Sequence, residues 1–161
     1  MRLILSNCRI KPVNNQIELH PWLDQPASVN FLLENDISVT SFMSLGRIER
    51  TLDQNGKTLV DEAVIQEIAK NHEKTPAQVL LRYQLQRGVL VIPKSATPSR
   101  IEENAQLFDF ALSDEEVLEI SKLNKPLRKV FLEKFIARIP QMNVSRAESH
   151  SKLIYRSSKP C

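Results

Sequence analysis

The chain has 161 residues, of which 42% are hydrophobic, and its formal net charge at pH 7 is +3. This length corresponds to one domain, or to a piece of one, with enough apolar residues to form a core. No apolar run is long enough to span a membrane, and the opening run at residues 3–5 is too short even for a signal peptide. Because Cys8 and Cys161 show no pairing or metal-ligand pattern, we interpret them as free thiols of a cytoplasmic protein without a metal site.

The charge is distributed unevenly along the chain. From Lys125 to the last residue there are nine Lys and Arg residues but only two Glu residues, a net charge of +7. The preceding residues carry 13 basic and 17 acidic side chains, a net charge of −4. We therefore divide the chain into a mildly acidic body, residues 1–124, and a basic tail, residues 125–161.

Apolar strands alternate with amphipathic helices in the body. We predict strands at residues 13–19, 37–42 and 89–92, and a polar loop at residues 47–57. We predict helices at residues 1–8, 61–70 and 77–87, the last of which begins at a capping box formed by Thr75 and Gln78. Three more predicted helices are capped by Asp24, Thr97 and Ser113. This alternation predicts parallel strands and an α/β fold, without the glycine fingerprint of a dinucleotide-binding fold. Three parallel strands cannot close a barrel, so the sequence predicts part of a domain, whose bare edges favour self-association as a homodimer.

The first and last predicted strands differ in polarity. The first carries Asn14, Asn15, Gln16 and Glu18, which indicates that one of its faces lines a wet or functional space. The last, at residues 89–92, is an unbroken apolar run, which is typical of a strand that is buried on both faces.

The segment after the last strand carries groups that bind a phosphate. Pro93 ends the strand, and Lys94 and Ser95 place an ammonium and a hydroxyl at its carboxyl end. Thr97 and Pro98 begin a helix, with the threonine hydroxyl as N-cap and the proline at the first helical position.

Three polar side chains share one face of that helix, because residues three and four positions apart are neighbours. They are Arg100, Glu103 and Asn104. A phosphate placed there meets two cations, a hydroxyl and the free N–H groups of a helix N-terminus. A solvated turn with ordinary surface charges is the alternative interpretation.

Three stretches of the body resemble the aldo-keto reductase family. They are KPVNNQIELHP (residues 11–21), TPAQVLLRYQLQRGVLVIPKS (75–95) and TPSRIEENAQLFDFALSDEE (97–116). The resemblance covers residues 1–123 and concerns the C-terminal half of the family. It implies a partial TIM (β/α)8 barrel that contains strands six to eight, where a phosphate site commonly follows the last two strands. It also implies an NADP(H)-dependent oxidoreductase that transfers hydride between NADPH and a carbonyl or alcohol.

The resemblance implies roles for five residues at the adenosine end of NADP(H). Lys94, Ser95 and Arg100 match positions that hold the 2′-phosphate, which explains the family's preference for NADP(H) over NAD(H). Glu103 and Asn104 match positions that contact the adenine.

At the other end of the cofactor, the resemblance implies that Gln16 hydrogen-bonds the nicotinamide carboxamide. Phe42 matches a tyrosine that usually stacks on the nicotinamide ring, and phenylalanine keeps the stacking face without the hydroxyl. Leu45 and Gly46 match the loop beside the pyrophosphate. The neighbouring positions 43, 44 and 47 depart from the family pattern, so backbone contacts are the ones that we expect to persist there.

The family's catalytic residues are not in this chain. The resemblance implies an aspartate, tyrosine, lysine and histidine from the first four strands, whereas Glu18, His20 and Tyr83 match structural positions and Lys94 belongs to the phosphate motif. We therefore expect negligible reductase activity from this chain, which is either a truncated product or the result of an incomplete gene model. The alternatives are a non-catalytic nucleotide-binding module, or a scaffold that acts through its tail.

The basic tail departs from the family pattern. At residues 127–139, apolar residues at helical spacing lie opposite Lys and Arg, which predicts a basic amphipathic helix. Such a helix binds an anionic membrane or a partner's groove, or packs on its own domain. Residues 145–161 are polar and predicted to be disordered, and the sequence shows no nucleic-acid-binding module.

Overall fold

The computed structural model describes residues 1–46 and 56–124. The strands are β1 (Asn14–Glu18), β2 (Ser38–Phe42) and β3 (Val89–Val91). The helices are α1 (Arg2–Leu5), α2 (Pro26–Glu34), α3 (Ala63–Asn71), α4 (Pro76–Gln86), α5 (Pro98–Ala105) and α6 (Asp114–Ser121), with a 3₁₀ turn at Leu59–Asp61. Most of the predicted polar loop, residues 47–55, and the basic tail with its predicted helix at 127–139 lie outside the described residues. Among the described helices, none combines the length and the apolar character that crossing a membrane requires.

The three strands form one parallel sheet in the order β1–β2–β3, which confirms the predicted parallel α/β arrangement. In its register, Gln16 lies opposite Thr40, and Thr40 lies opposite Leu90. Glu18 and Phe42 are paired at the carboxyl ends of β1 and β2. The segments that follow the three strands therefore leave from one edge of the sheet.

Two clusters of buried side chains form the core. The first, which we call the sheet core, consists of Leu19, Val29, Leu32, Ile37, Val39 and Val89. The second, the helical core, consists of Trp22, Leu59, Ile65, Ile68, Ala69, Val79, Leu80, Tyr83, Leu112 and Ile120. Since burying a large aliphatic side chain contributes about 1.5–3 kcal/mol, these two clusters supply most of the stabilisation of the fold.

Helices cover one face of the sheet, and the opposite face, which we call the open face, carries exposed side chains. α2 and α4 contact the sheet, and Val89 is buried beneath them. On the open face, however, Leu90 is 53% exposed, and Ile92 beyond the strand is 51% exposed. The prediction that this strand is buried on both faces is therefore wrong for the described chain, because helices pack on one face only. Of the polar residues of β1, Asn14, Gln16 and Glu18 lie on the open face, where the Asn14 side chain donates a 2.8 Å hydrogen bond to the Thr40 hydroxyl.

Two of the four predicted helix caps are present. The hydroxyls of Thr75 and Ser113 each accept a hydrogen bond from the backbone N–H three residues on, in complete capping boxes. Thr97 is the N-cap residue of α5 and Pro98 its first residue, as predicted, but the predicted capping by the hydroxyl is wrong, since the threonine side chain makes no capping bond. The predicted cap at Asp24 is also wrong: the residue before α2 is Gln25, with a φ of +43°, and the Asp24 carboxylate is bonded elsewhere.

Candidate functional site

The residues predicted to bind the cofactor lie along the carboxyl edge of the sheet and on the helix that starts there. They are Gln16 on β1, Phe42 on β2, Leu45 and Gly46 after β2, Lys94 and Ser95 after β3, and Arg100, Glu103 and Asn104 on α5. Ligands of open α/β sheets bind at this edge, because the loops after parallel strands converge there. The topology thus brings residues from three separate segments of the sequence to one edge.

Gln16 and Phe42 share the open face of the sheet. Gln16 lies opposite Thr40, and side chains two positions apart on a strand point to the same face, so Phe42 lies on the same face as Gln16. Gln16 is exposed and Phe42 is half-buried. The two side chains that the sequence assigns to the nicotinamide end are therefore neighbours on an accessible surface.

A tight turn after β2 carries the residues assigned to the pyrophosphate. Met43 and Gly46 have φ values of +55° and +71°, and the Gly46 N–H donates a 2.8 Å hydrogen bond to the Met43 carbonyl. Below them, the buried hydroxyls of Ser41 and Ser44 lie 2.7 Å apart, and Ser41 also donates to a carbonyl just after β1. The Leu45 side chain packs against the helical core, so its backbone is the part of the residue that remains to contact a ligand.

The turn between β3 and α5 is closed by a hydroxyl of its own. Ser95 Oγ accepts a 3.1 Å hydrogen bond from the Thr97 N–H and lies 3.4 Å from the Thr97 carbonyl. The Thr97 side chain caps nothing. Because the Thr97 side chain does not bond to them, the backbone N–H groups in the first turn of α5 remain open to an external acceptor.

Two exposed cations flank that helix start. Lys94 lies immediately before Ser95, and Arg100 lies in the first turn of α5. Within residues 1–46 and 56–124, neither side chain forms an ion pair, although other Lys and Arg side chains do. The positive end of the helix dipole adds to their field. This segment is therefore a positively charged surface whose charges are not neutralised by ion pairs within the described chain.

Glu103, which the sequence assigns to the adenine, is directed to the preceding helix. The Thr75 hydroxyl donates a 2.6 Å hydrogen bond to Glu103 Oε1. The Gln78 side-chain amide donates to the backbone carbonyl of Glu103 at 3.3 Å. The Glu103 carboxylate is thus bonded to the start of α4, and no ion pair joins it to Arg100 among the described residues. Asn104 is half-buried.

Sequence reasoning missed a buried charged network at Asp24. The Asp24 carboxylate accepts a hydrogen bond from Tyr83 at 2.8 Å and forms an ion pair with Arg87 at 2.6 Å. Arg87 also donates to the Asp24 carbonyl at 2.9 Å and to the Gln84 side chain at 3.1 Å. The four-residue spacing of Tyr83 and Arg87 placed them on one face of α4, but nothing in the sequence indicated which acid they would contact.

Burial dominates the protonation behaviour of this network. It raises the pKa of Asp24 above its usual 3.8, and this effect outweighs the opposing effects of the Arg87 charge and the Tyr83 hydrogen bond. Burial likewise raises the pKa of Tyr83 far above its usual range, so its phenol remains a hydrogen-bond donor. The network is therefore structural in character, and Tyr83 is poorly suited to act as an acid near neutral pH.

A cleft of about 400 Å³ lies beside this network, on the helical side of the fold. Its walls come from α2, the end of α4 and α6, and none of the nine predicted cofactor residues lines it. Within the part of the chain that the structure describes, no group of three His, Cys, Asp or Glu side chains is arranged to hold a metal ion.

Comparison with known proteins identifies the family. The family model described as "Aldo/keto reductase family" matches residues 1–125. The chain belongs to the aldo-keto reductase family. This confirms the resemblance found in the sequence, and the parallel sheet can be compared with the fold of that family.

Curated aldo-keto reductases match the same part of the chain. "Aldo-keto reductase family 1 member A1-A" of Danio rerio is 45% identical over 123 residues, which are 76% of this chain and 38% of the relative. "Aldo-keto reductase family 1 member D1" of Oryctolagus cuniculus is 42% identical over 124 residues, with the same shares. "Aldo-keto reductase family 1 member C1" of Pongo abelii is 41% identical over 129 residues, 79% of this chain and 40% of the relative. The chain thus spans about two fifths of the length of the curated relatives it matches.

Aldo-keto reductases have a TIM barrel, and the described sheet is consistent with part of one. In such a barrel the strands are parallel and helices cover the outside, as α2 and α4 do here. The inward face of a barrel is filled by side chains from the whole ring of strands. The open face of this sheet, with Gln16, Thr40, Phe42 and Leu90, is consistent with that inward face.

Proposed function

We propose that this chain binds NADP(H) through the adenosine 2′-phosphate and forms the cofactor-binding part of an NADP(H)-dependent oxidoreductase. The observation that carries the proposal is the start of α5. There, Lys94 and Arg100 are exposed without an ion pair in the described chain, and the first helical turn is not capped by Thr97. Membership of the aldo-keto reductase family supports the identity of the cofactor.

The chemistry of this surface favours the phosphorylated cofactor. A phosphate monoester accepts hydrogen bonds from both cations and from backbone N–H groups, and charge-assisted bonds of this kind are stronger than neutral ones. NAD(H) has a hydroxyl in place of the phosphate and gains little from two positive charges. The Ser95 hydroxyl, which closes the turn through Thr97, places the helix start next to Lys94. The side chains of this segment therefore discriminate between the two cofactors by charge.

The remaining residues extend the proposed site along the carboxyl edge. Leu45 and Gly46 present backbone to the pyrophosphate, since the Leu45 side chain is packed into the helical core. Gln16 and Phe42, neighbours on the open face, serve the carboxamide and the ring of the nicotinamide. Of the residues assigned to the adenine, Asn104 remains, while Glu103 is bonded to Thr75.

When bound, the cofactor supplies the hydride for reduction of a carbonyl or oxidation of an alcohol. The chain's own contribution is to bind and orient it. Glu18 and His20 lie 3.4 Å apart and Glu18 is paired with Phe42, but the resemblance matches both to structural positions, and Tyr83 is buried and bonded to Asp24. We therefore expect negligible turnover from this chain without the residues that the family contributes from its first four strands.

The test is a fluorescence titration of the purified chain with NADPH and with NADH. We expect tighter binding of NADPH, and we expect Arg100→Ala to remove most of the difference, weakening NADPH binding about five- to thirtyfold for a lost interaction of about 1–2 kcal/mol. Arg9→Ala, at an exposed arginine outside the site, is the matched control and should change neither affinity. Equal affinities for the two cofactors in the unsubstituted chain contradict the proposal.

A further inference from the structure

α5 is not held to the rest of the fold by buried apolar side chains. None of its residues is buried, and its large aliphatic side chain, Ile101, is 53% exposed. Helices at the surface of a domain are usually fixed by an apolar stripe that faces the core. The chain is anchored again only beyond the helix, where Leu107 is buried. The position of α5 must therefore depend on polar contacts.

Those contacts come from the first turn of α4. The side-chain amide of Gln78 is buried, and its Nε2 donates to the backbone carbonyls of Glu103 at 3.3 Å and Gln106 at 2.9 Å. The hydroxyl of Thr75 donates to the Glu103 carboxylate at 2.6 Å. Glu103 lies in the last turn of α5 and Gln106 directly follows the helix, where carbonyls lack the usual helical partner four residues on. The Glu103 carbonyl also accepts a 3.1 Å hydrogen bond from the Gln106 N–H. Three hydrogen bonds from two side chains thus satisfy the end of α5.

The same two side chains also form the capping box of α4. Gln78 Oε1 accepts a 3.0 Å hydrogen bond from the Thr75 N–H, and the Gln78 N–H donates to the Thr75 hydroxyl at 3.2 Å. Each end of the Gln78 amide is therefore committed, with its oxygen bonded to the start of α4 and its nitrogen to the end of α5. This geometry fixes the orientation of one helix relative to the other.

We propose that Gln78 and Thr75 are positioning residues that fasten α5 to α4 and thereby hold the Lys94–Arg100 surface in the arrangement that binds the 2′-phosphate. This inference rests on the proposed function for its ligand. Its physical basis is that α5 has no buried side chain to hold it once the amide bonds are lost. A helix released at one end no longer presents its first-turn N–H groups and Arg100 in a fixed direction to the phosphate.

The first variant is Gln78→Glu, which keeps an oxygen for the Thr75 N–H but replaces the donating nitrogen by an oxygen. The matched control is Gln86→Glu on the same helix, where Nε2 donates to the Leu112 carbonyl at 2.9 Å and makes no bond to α5. Two readouts are needed: the ratio of NADH to NADPH dissociation constants, and the amide hydrogen exchange of peptides that cover residues 98–105 without ligand. Because two hydrogen bonds are lost, we expect Gln78→Glu to raise that exchange about tenfold and to lower the ratio about tenfold. Gln86→Glu should change neither.

A second pair of variants covers the case in which Gln78→Glu does not fold. Thr75→Val removes the hydroxyl that bonds Glu103 and keeps the shape of the side chain, whereas Thr75→Ser keeps the hydroxyl. We expect Thr75→Val to raise the exchange at residues 98–105 and to lower the cofactor ratio, and Thr75→Ser to resemble the unsubstituted chain in both.

The two readouts separate this inference from the proposed function. Unchanged exchange at residues 98–105 in Gln78→Glu and Thr75→Val overturns the attachment of α5 through these residues. Raised exchange with an unchanged preference for NADPH also overturns the inference, because α5 is then not what positions the phosphate. If the unsubstituted chain does not prefer NADPH, the proposed function fails, and the link to phosphate binding fails with it.

Discussion

The buried pair of Asp24 and Arg87 allows a quantitative prediction about stability. Arg87→Met keeps most of the apolar stem but removes the guanidinium, whose carbon lies 5.0 Å from the centroid of the Tyr83 ring. The Asp24 side chain is only 6% exposed, so its charge is left without a cation in a site that water hardly reaches. Breaking a buried ion pair by removing one partner costs about 3–5 kcal/mol. For a domain whose free energy of unfolding is about 5–15 kcal/mol, this loss is a large fraction of the total.

The loss should depend on pH, and its sign follows from the pKa of Asp24. Burial already raises that pKa above 3.8, so between pH 3.8 and the raised value the folded state binds more protons than the unfolded state. The contribution of Asp24 to the free energy of unfolding therefore becomes more favourable as the pH falls through its folded pKa. Removing the Arg87 charge raises the pKa of Asp24 further. The gap in stability between Arg87→Met and the unsubstituted chain should therefore narrow as the pH is lowered from 7 towards 4.

Urea unfolding followed by circular dichroism at several pH values measures both effects. Arg82→Met is the matched control on the same helix, because its guanidinium bonds the Gln86 side chain and the Leu107 carbonyl and forms no ion pair in the described chain. The double variant Asp24→Asn with Arg87→Met should recover much of the loss, since it leaves no buried charge. A loss below about 1 kcal/mol in Arg87→Met, or one that is the same at pH 7 and pH 4.5, refutes the reasoning.

Two further predictions concern the N-caps of helices and a glycine with a positive φ, and urea unfolding measures the stability change in both cases. Ser113→Ala removes a capping bond and should cost about 1 kcal/mol, whereas Thr97→Ala, at a cap position without such a bond, should change the stability by less than about 0.5 kcal/mol; equal losses contradict this. Gly88→Ala should cost about 1–2 kcal/mol, because Gly88 has a φ of +75°. The Cβ added by this substitution would lie 3.6 Å from Leu33, which is an ordinary contact distance, so the loss should come from the backbone conformation. Gly88→Asn should therefore cost less than Gly88→Ala, because asparagine tolerates this φ. A larger loss in Gly88→Asn excludes backbone strain as the cause.

Signals confined to four or five neighbouring residues gave correct predictions. Thr75 with Gln78, and Ser113 with Glu116, are capping boxes in the sequence and in the structure, because both partners lie within one helical turn. The helix predicted at residues 77–87 is observed at Pro76–Gln86 for the same reason. The alternation of elements also predicted the parallel sheet, since short connections between a strand and a helix leave few other arrangements.

Asp24 shows why longer-range contacts were not predictable. In the sequence it stands two residues before Pro26 and looks like a helix cap, which is a local role. Its actual partners, Tyr83 and Arg87, are 59 and 63 residues further along the chain, and only the tertiary fold brings them together. The same limit applies to Gln78, whose capping role was readable whereas its bonds to the end of α5 were not.

The error at β3 has a different origin. An apolar run predicts burial on both faces because strands of this composition usually occur in parallel sheets that are covered on both sides. The sequence pattern is that of a barrel strand, but the described residues cover only one face of it, and Leu90 and Ile92 on the other face are about half exposed. Covering that face would add on the order of 1 kcal/mol for each of the two side chains.

Because only one face of the sheet is covered, the two ends of the proposed cofactor site have different surroundings in the described chain. The phosphate end depends on α5, which is fastened to α4 by Gln78, and α4 is packed into the helical core of the same described body. The nicotinamide end depends on Gln16 and Phe42, which lie on the open face with nothing in the described chain to enclose a ring. Binding energy in this chain should therefore come mainly from the adenosine 2′-phosphate, and for that reason the preference for NADPH over NADH tests the site more directly than turnover does.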